Sequence, residues 1–466
     1  MEWSTLLSAR RMRESSRKPA DFRSEFEKDY HRIIGSASFR RLQDKTQVFP
    51  LDKSDFIRTR LTHSLEVSSF GKSLGQNIGE NILTYRKDAG FAPCMKEDIC
   101  NILQCAGLIH DIGNPPFGHF GEIAIREWFE RNLPVMEYFG TPIAEILTPQ
   151  MREDLYHFEG NAQALRLVTK LHYLVDENGM NLTYALLNTI IKYPVPSTGI
   201  DSTSGNIKDK KMGYYLAEED IFKEITKETG AFTNRHPLTY ILEAADDLAY
   251  KTADIEDAFV KGYISYYTLA AELKKIQKPG RGSEFDPLAR LQSLYAWGQG
   301  KGIQNPEEYA VKNWIVRIQG FLINCATYGF TSHYDQIMNG TFQHDLFCGT
   351  FGEDLMWLLG DMAYRRVFDT MDIYKMEMTE SVILDYLMDR LVHAVLYYDT
   401  DVKLDTIDRR IISFISDNYR SAYLNQSKGK SEAEKLYLRL LLVTDFVCGM
   451  TDSYAKRLYQ ELKGIL

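Results

Sequence analysis

Apolar residues recur at three- and four-residue steps along most of the chain. Ile99, Ile102, Leu103, Ala106 and Ile109 form one such stripe, the spacing of an amphipathic helix with a single buried face. The same spacing predicts helices over 158–174, 182–191, 238–260, 311–323, 382–398 and 433–462. Strand-like alternation is short and rare, so the pattern predicts an all-α fold with at most a small hairpin. Two stretches break the periodicity. Residues 194–236 mix Ser, Gly, Pro and Lys, and residues 278–307 are rich in Gly and Pro. Both predict long loops or insertions, and the second marks a boundary to a C-terminal helical region.

The 466 residues suffice for a sizeable core, and 44% hydrophobic with 26% charged residues describe an ordinary soluble globular protein. A net charge of −9 argues against bulk attraction to nucleic acid. It leaves room for a local basic patch, and Arg10, Arg11, Arg13, Arg17, Lys18 and Arg23 form one near the N-terminus. That patch is either a solvated arm or a contact for phosphates of a substrate or a nucleic acid. None of the six cysteines forms a Cys-x-x-Cys pair, which points to reduced, buried thiols rather than a zinc knuckle. The N-terminus lacks a signal-peptide core and no apolar run approaches a membrane span, so the expected location is the cytoplasm.

One stretch departs from the helical pattern in a chemically informative way. Residues 107–122 read GLIHDIGNPPFGHFGE. His110 and Asp111 are adjacent, and His119 and Glu122 follow after a Gly/Pro-rich turn. A plain core helix would not tolerate Pro115-Pro116. His110 and Asp111 would diverge by about 100° on a continuing helix, so both can face one ion only if the helix ends there. Imidazole and carboxylate donors suit a hard or borderline divalent cation with open positions for water and substrate. His63 is a further donor by type, and shares a helix face with Arg60 three residues before it. The helix over 238–260 places Asp246, Tyr250 and Asp254 on one face among small apolar residues, where a carboxylate needs a partner. Glu243, Asp247, Glu256 and Asp257 of the same helix read as solvated.

His63, His110-Asp111 and Asp246 together resemble the H…HD…D pattern of HD-domain phosphohydrolases, and more closely the deoxyguanosine triphosphate triphosphohydrolase family. The matching segments are 39–49 (FRRLQDKTQVF), 60–66 (RLTHSLE), 107–122, 158–163 (FEGNAQ), 182–185 (LTYA) with 192–194 (KYP), and 244–250 (AADDLAY) with 254–257 (DIED). They cover roughly residues 20 to 260, and the C-terminal 200 residues carry no diagnostic motif. The resemblance implies an all-α HD-domain core over 37–275, preceded by a basic arm and first helix over 1–36 and followed by a helical region over 276–466. It implies hydrolysis of a deoxynucleoside triphosphate, dGTP foremost, at the α-phosphorus to give deoxynucleoside and inorganic triphosphate.

The resemblance also implies one Mn²⁺, Mg²⁺ or Fe²⁺ ion on His63, His110, Asp111 and Asp246, with His119 and Glu122 as the catalytic pair. Arg60, Lys192, Tyr193 and Lys211 match phosphate-contacting positions. Gln47, Val48, Tyr250 and Asp254 match positions that contact the sugar and base. A tyrosine against C2′ would exclude ribose by steric clash. Relatives of this kind form hexamers or tetramers, and some respond to single-stranded DNA or a second nucleotide, so the expected partners are the dNTP, further copies of the chain and such effectors, with no membrane. Two other readings stay open at this point: another HD-domain nucleotide phosphohydrolase, and a nucleic-acid-binding regulator with an idle metal site.

Overall fold

A computed structural model describes residues 1–13, 21–47, 58–172, 177–277 and 285–465. The fold is all-α. Among the described residues the only paired strands are Glu137–Tyr138 and Thr141–Pro142, which form an antiparallel hairpin. At the centre, the helix Arg60–Asn81 lies along Met95–Ile109 and against Pro237–Val260. Thr59 caps the first of these by accepting from the Thr62 N–H. Its buried face mixes Val67, Leu74 and Ile78 with Ser64, Ser68, Gly71 and Gly75, so the neighbouring helix can approach at backbone distance. Gly107 makes the contact possible, because a Cβ there would lie 2.5 Å from the Ser68 backbone nitrogen. The close approach carries His63 and His110 to opposite sides of one seam, with ring centroids 5.3 Å apart.

The later helices close over this centre. Pro306–Ser332 packs on Arg60–Asn81 and Pro237–Val260, and Met371–Val395 packs on Gly118–Asn132 and on Glu432–Cys448. Arg166, fully buried, donates to Asp445 at 2.8 and 2.7 Å and to Glu218 at 2.7 Å, tying the early helices to Glu432–Cys448. No helix among the described residues is long and apolar enough to cross a membrane.

Several elements differ from the periodic pattern. The stretch 194–236 contains the helix Glu219–Glu228, because Ile221, Phe222, Ile225 and Thr226 bury one face. The stretch 278–307 contains the helix Pro287–Gly300, started by Asp286 as cap and Pro287 in the first turn, while residues 278–284 lie outside the described residues. The single helix expected over 433–462 is two, Glu432–Cys448 and Asp452–Lys463, separated by a short turn. The helix expected over 158–174 is Gly160–Arg166 followed by a wide turn over Leu167–Leu171. The acids expected to be solvated are instead paired: Glu243 with Arg235, Asp247 with Lys251, and Glu256 and Asp257 with Arg58. In the basic N-terminal segment Arg10 pairs with Glu228, Arg11 with Asp29 and Arg23 with Asp21, whereas Arg17 and Lys18 lie outside the described residues.

Two buried histidines make the fold acid-sensitive. His236 caps Pro237–Val260 by accepting from Leu238 N–H at 3.2 Å and bonds the Leu6 carbonyl at 3.1 Å. His172 bonds Ser38 at 2.8 Å. Burial lowers both imidazoles from 6.5 to about 4. At these two sites the folded state therefore binds fewer protons than the unfolded chain, so their contribution to stability is complete above 6.5 and is lost as the pH drops toward 4. Each histidine accounts for about 3 kcal/mol at the acid end. Urea unfolding at pH 7.5 and 4.5 should show a lower acid midpoint, with a smaller difference in the His172→Gln/His236→Gln double variant. An equal difference in that variant would refute the assignment.

Candidate active site

The helix Met95–Ile109 ends where the sequence requires it to end. His110 follows as its C-cap, and residues 111–117 turn before Gly118–Asn132 begins. Phe117 and Gly118 both hold positive φ, 65° and 61°. For a phenylalanine this conformation costs on the order of 1–3 kcal/mol. Gly118 is required sterically as well, since a Cβ there would meet Arg60 Nη2 at 2.4 Å. The turn therefore presents His110 and Asp111 to one side and lets Arg60 reach across it.

His63, His110 and Asp246 bring ligand-type atoms within 4.8 Å of one another. His63 Nε2 lies 3.1 Å and His110 Nε2 3.4 Å from Asp246 Oδ1. His110 Nδ1 bonds the Gly107 carbonyl at 2.8 Å, which places its proton on Nδ1 and leaves Nε2 free toward the cluster. That Nε2 is buried and has no hydrogen-bond partner. Asp111 lies alongside, its Oδ1 3.6 Å from His110 Nε2, and it is engaged by the Arg60 guanidinium and by Asn114 Nδ2 at 2.7 Å. Lys192 Nζ donates to Asp246 at 3.0 Å. Burial pushes the Asp246 carboxyl up, but Lys192 and His110 outweigh it and hold it well below the usual range. Burial likewise opposes charge on His110, and the Asp111 and Asp246 carboxylates outweigh it and raise the imidazole. An unpartnered imidazole nitrogen beside two ionised carboxylates is a donor set that a divalent cation completes.

A second cluster sits on the next helix. His119 is 70% exposed, and its Nδ1 bonds Glu122 Oε2 at 2.9 Å. Glu122 is buried and accepts from Gly160 N–H at 2.8 Å through its other oxygen. Burial pushes Glu122 up, but the His119 bond, Lys211 and Arg126 keep it below its ordinary value. Behind it Glu159 pairs with Arg126 and Lys211, both at 2.9 Å. Sequence reasoning assigned no role to Arg126, Asn114 or Glu159. The 158–163 segment was the signal that could have exposed Glu159.

His110, Asp111 and Asp246 of the first cluster and both members of the second line one cleft of about 770 Å³, whereas His63 is buried and does not line it. Its wall includes Gln47, Arg60, Lys192, Lys211 and Tyr250 of the predicted set. Tyr193 and Asp254 are buried and do not line it, and Val48 lies outside the described residues. Gln47 Oε1 and both Asp254 carboxyl oxygens are buried without hydrogen-bond partners. None of the described basic N-terminal residues reaches the cleft. The far wall comes from the C-terminal half, including Tyr364, Phe368, Tyr374 and Glu380, none of which the sequence marked. The Phe368 ring lies parallel to Tyr250, with a 5° interplanar angle and centroids 6.3 Å apart.

Comparison with known proteins agrees with this arrangement. The HD domain family matches residues 60–189, which include His63, His110 and Asp111 but end before Asp246. The chain is 47% identical to a deoxyguanosinetriphosphate triphosphohydrolase-like protein of Listeria monocytogenes, over 100% of both chains. It is 33% identical to a deoxyguanosinetriphosphate triphosphohydrolase of Yersinia enterocolitica, over 94% of this chain and 93% of the relative. A deoxyguanosinetriphosphate triphosphohydrolase-like protein of Synechocystis is 33% identical over 100% of both chains. With such identity extending along the whole length, the chain belongs to the deoxyguanosinetriphosphate triphosphohydrolase family of HD-domain proteins.

Proposed function

We propose that the protein hydrolyses deoxynucleoside triphosphates, dGTP foremost, at the α-phosphorus, releasing deoxynucleoside and inorganic triphosphate. One observation carries this reading: His110 and Asp246, which His63 joins from its buried position to form the donor set, line the same cleft as the His119–Glu122 pair. His63, His110, Asp111 and Asp246 would hold one divalent cation, Mn²⁺, Mg²⁺ or Fe²⁺. Such an ion supplies Lewis-acid polarisation of a phosphoryl oxygen and an acidified water. The charge of the cleft supports the need for it. Its described wall has eight Asp and Glu carboxyls against Arg60, Lys192 and Lys211, which would repel a bare triphosphate.

The chain's own residues do the rest. Arg60 and Lys192, now bonded to Asp111 and Asp246, are the cations closest to the donor set for phosphate oxygens. Glu122 holds His119 Nδ1, so Nε2 is the atom that carries a proton between the reacting water and the leaving 5′-oxygen. The unpartnered Gln47 Oε1, on the cleft wall, lacks a donor that a sugar 3′-hydroxyl would supply.

Tyr250 lies one turn beyond Asp246 on the cleft wall, and its ring would exclude a 2′-hydroxyl by steric clash. Tyr250→Ala should narrow the dGTP-over-GTP preference in kcat/KM by about 10- to 100-fold. A preference unchanged from wild type would remove Tyr250 from this role. The activity itself is tested by incubating the protein with each dNTP and each of the three metals. Deoxynucleoside and triphosphate are expected, and release of orthophosphate or pyrophosphate would overturn the assignment.

A further inference from the structure

The turn between Glu432–Cys448 and Asp452–Lys463 touches the cleft from behind. Asp452 is 2% exposed and begins the last helix. One of its carboxylate oxygens accepts from the Thr46 N–H at 2.9 Å and the Thr46 hydroxyl at 2.6 Å. The other accepts from the Phe117 N–H at 2.9 Å. Lys45, also 2% exposed, donates through Nζ to the Asn114 carbonyl and the Cys448 carbonyl, both at 2.6 Å. Thr46, Phe117 and Asn114 all line the cleft. Two buried charged groups, more than 400 residues apart, thus bind the same three pieces of backbone together: the segment carrying Gln47, the turn after Asp111, and the end of Glu432–Cys448.

We propose that Lys45 and Asp452 are positioning residues for the reaction, forming a clasp by which the C-terminal helices hold the catalytic turn in its working shape. Phe117 is the crux. It stands in the left-handed region with a φ of 65°, caps Gly118–Asn132 without a side-chain bond, and sits two residues before His119. A non-glycine residue keeps that conformation only where its surroundings over-determine it, and the Asp452 carboxylate on its N–H is such a constraint. On the other side, Lys45 fixes the Asn114 carbonyl while the Asn114 amide donates to Asp111 at 2.7 Å. The clasp touches none of His63, His110 or Asp246 among the bonds described, so through Asp452 it sets where His119 stands, and it reaches the donor set only through Lys45, Asn114 and Asp111. Charged donors and acceptors suit this task because their hydrogen bonds are short and strong.

This inference rests on the triphosphohydrolase reading, and the test separates the two. Lys45→Met, Asp452→Asn and the double variant are compared with wild type for dGTP turnover, Mn²⁺ affinity by calorimetry, and hydrogen exchange by mass spectrometry. Each single variant should lower kcat by about 10- to 100-fold, as expected for a displacement of about 1 Å at a reacting group. KM should stay within about threefold of wild type, as should Mn²⁺ affinity in Asp452→Asn, whereas Lys45→Met, which loosens Asn114 and through it Asp111, should weaken Mn²⁺ binding further; exchange should quicken over 112–118 while the core helices stay protected. The double variant should fall no further than the weaker single, because both break one device. Wild-type kcat together with wild-type exchange over 112–118 in either soluble single variant would overturn the proposal. If wild type itself releases no triphosphate, the triphosphohydrolase reading fails instead, and the exchange data still decide whether the clasp holds the turn.

Discussion

His119→Ala is expected to lower dGTP turnover by about 10²- to 10⁴-fold, the range in which a positioned proton carrier acts. The geometry makes the effect specific. The imidazole stands 70% exposed in the cleft, bonded to Glu122, and takes no part in the His63–His110–Asp246 group. Its removal deletes no core contact and leaves Glu122 still accepting from Gly160. Metal content and thermal midpoint should therefore match wild type. Loss of the metal would reassign His119 as a ligand, and retention of full turnover would move the proton chemistry elsewhere. Glu122→Gln should be milder, since an amide oxygen can still receive the Nδ1 proton.

Asp246→Ala should have the opposite signature: loss of bound metal together with loss of turnover. Asp246 is where the cluster converges, with His63 at 3.1 Å, His110 at 3.4 Å and Lys192 at 3.0 Å from its oxygens. Without it two imidazoles and Asp111 remain as donors, and the Lys192 ammonium is left unpaired beside them, which opposes a cation. Lewis-acid assistance contributes several kcal/mol to phosphoryl chemistry, so turnover should fall by at least about 10³-fold. Elemental analysis of the dialysed variant beside the kinetic assay checks both halves. An Asp246→Ala protein with wild-type metal content would show that the ion is held elsewhere.

What could be read in the sequence follows from the range of the interactions involved. Asp246, Tyr250 and Asp254 were legible because helical spacing alone puts them on one face. The end of the helix at His110 was legible because the Gly/Pro run behind it permits no continuation. The helices Glu219–Glu228 and Pro287–Gly300 were hidden because their Gly- and Pro-rich flanks dominate the local composition. The pairing of Asp257 with Arg58, and of Lys45 and Asp452 with the turn after Asp111, joins residues far apart in the chain and leaves no local pattern. The same holds for the wall built by Tyr364, Phe368 and Glu380, which the packing of Glu353–Ala363 on Pro237–Val260 and of Met371–Val395 over Gly118–Asn132 brings to the cleft.

The central claim concerns which bond breaks, and isotope placement tests it most directly. The protein is incubated with dGTP and Mn²⁺ in H₂¹⁸O, and the products are separated and weighed by mass spectrometry. Attack of water at the α-phosphorus with departure of the 5′-oxygen predicts inorganic triphosphate carrying a single ¹⁸O and deoxyguanosine carrying none. Formation of dGMP with pyrophosphate, of dGDP with orthophosphate, or of ¹⁸O-labelled deoxyguanosine would contradict it.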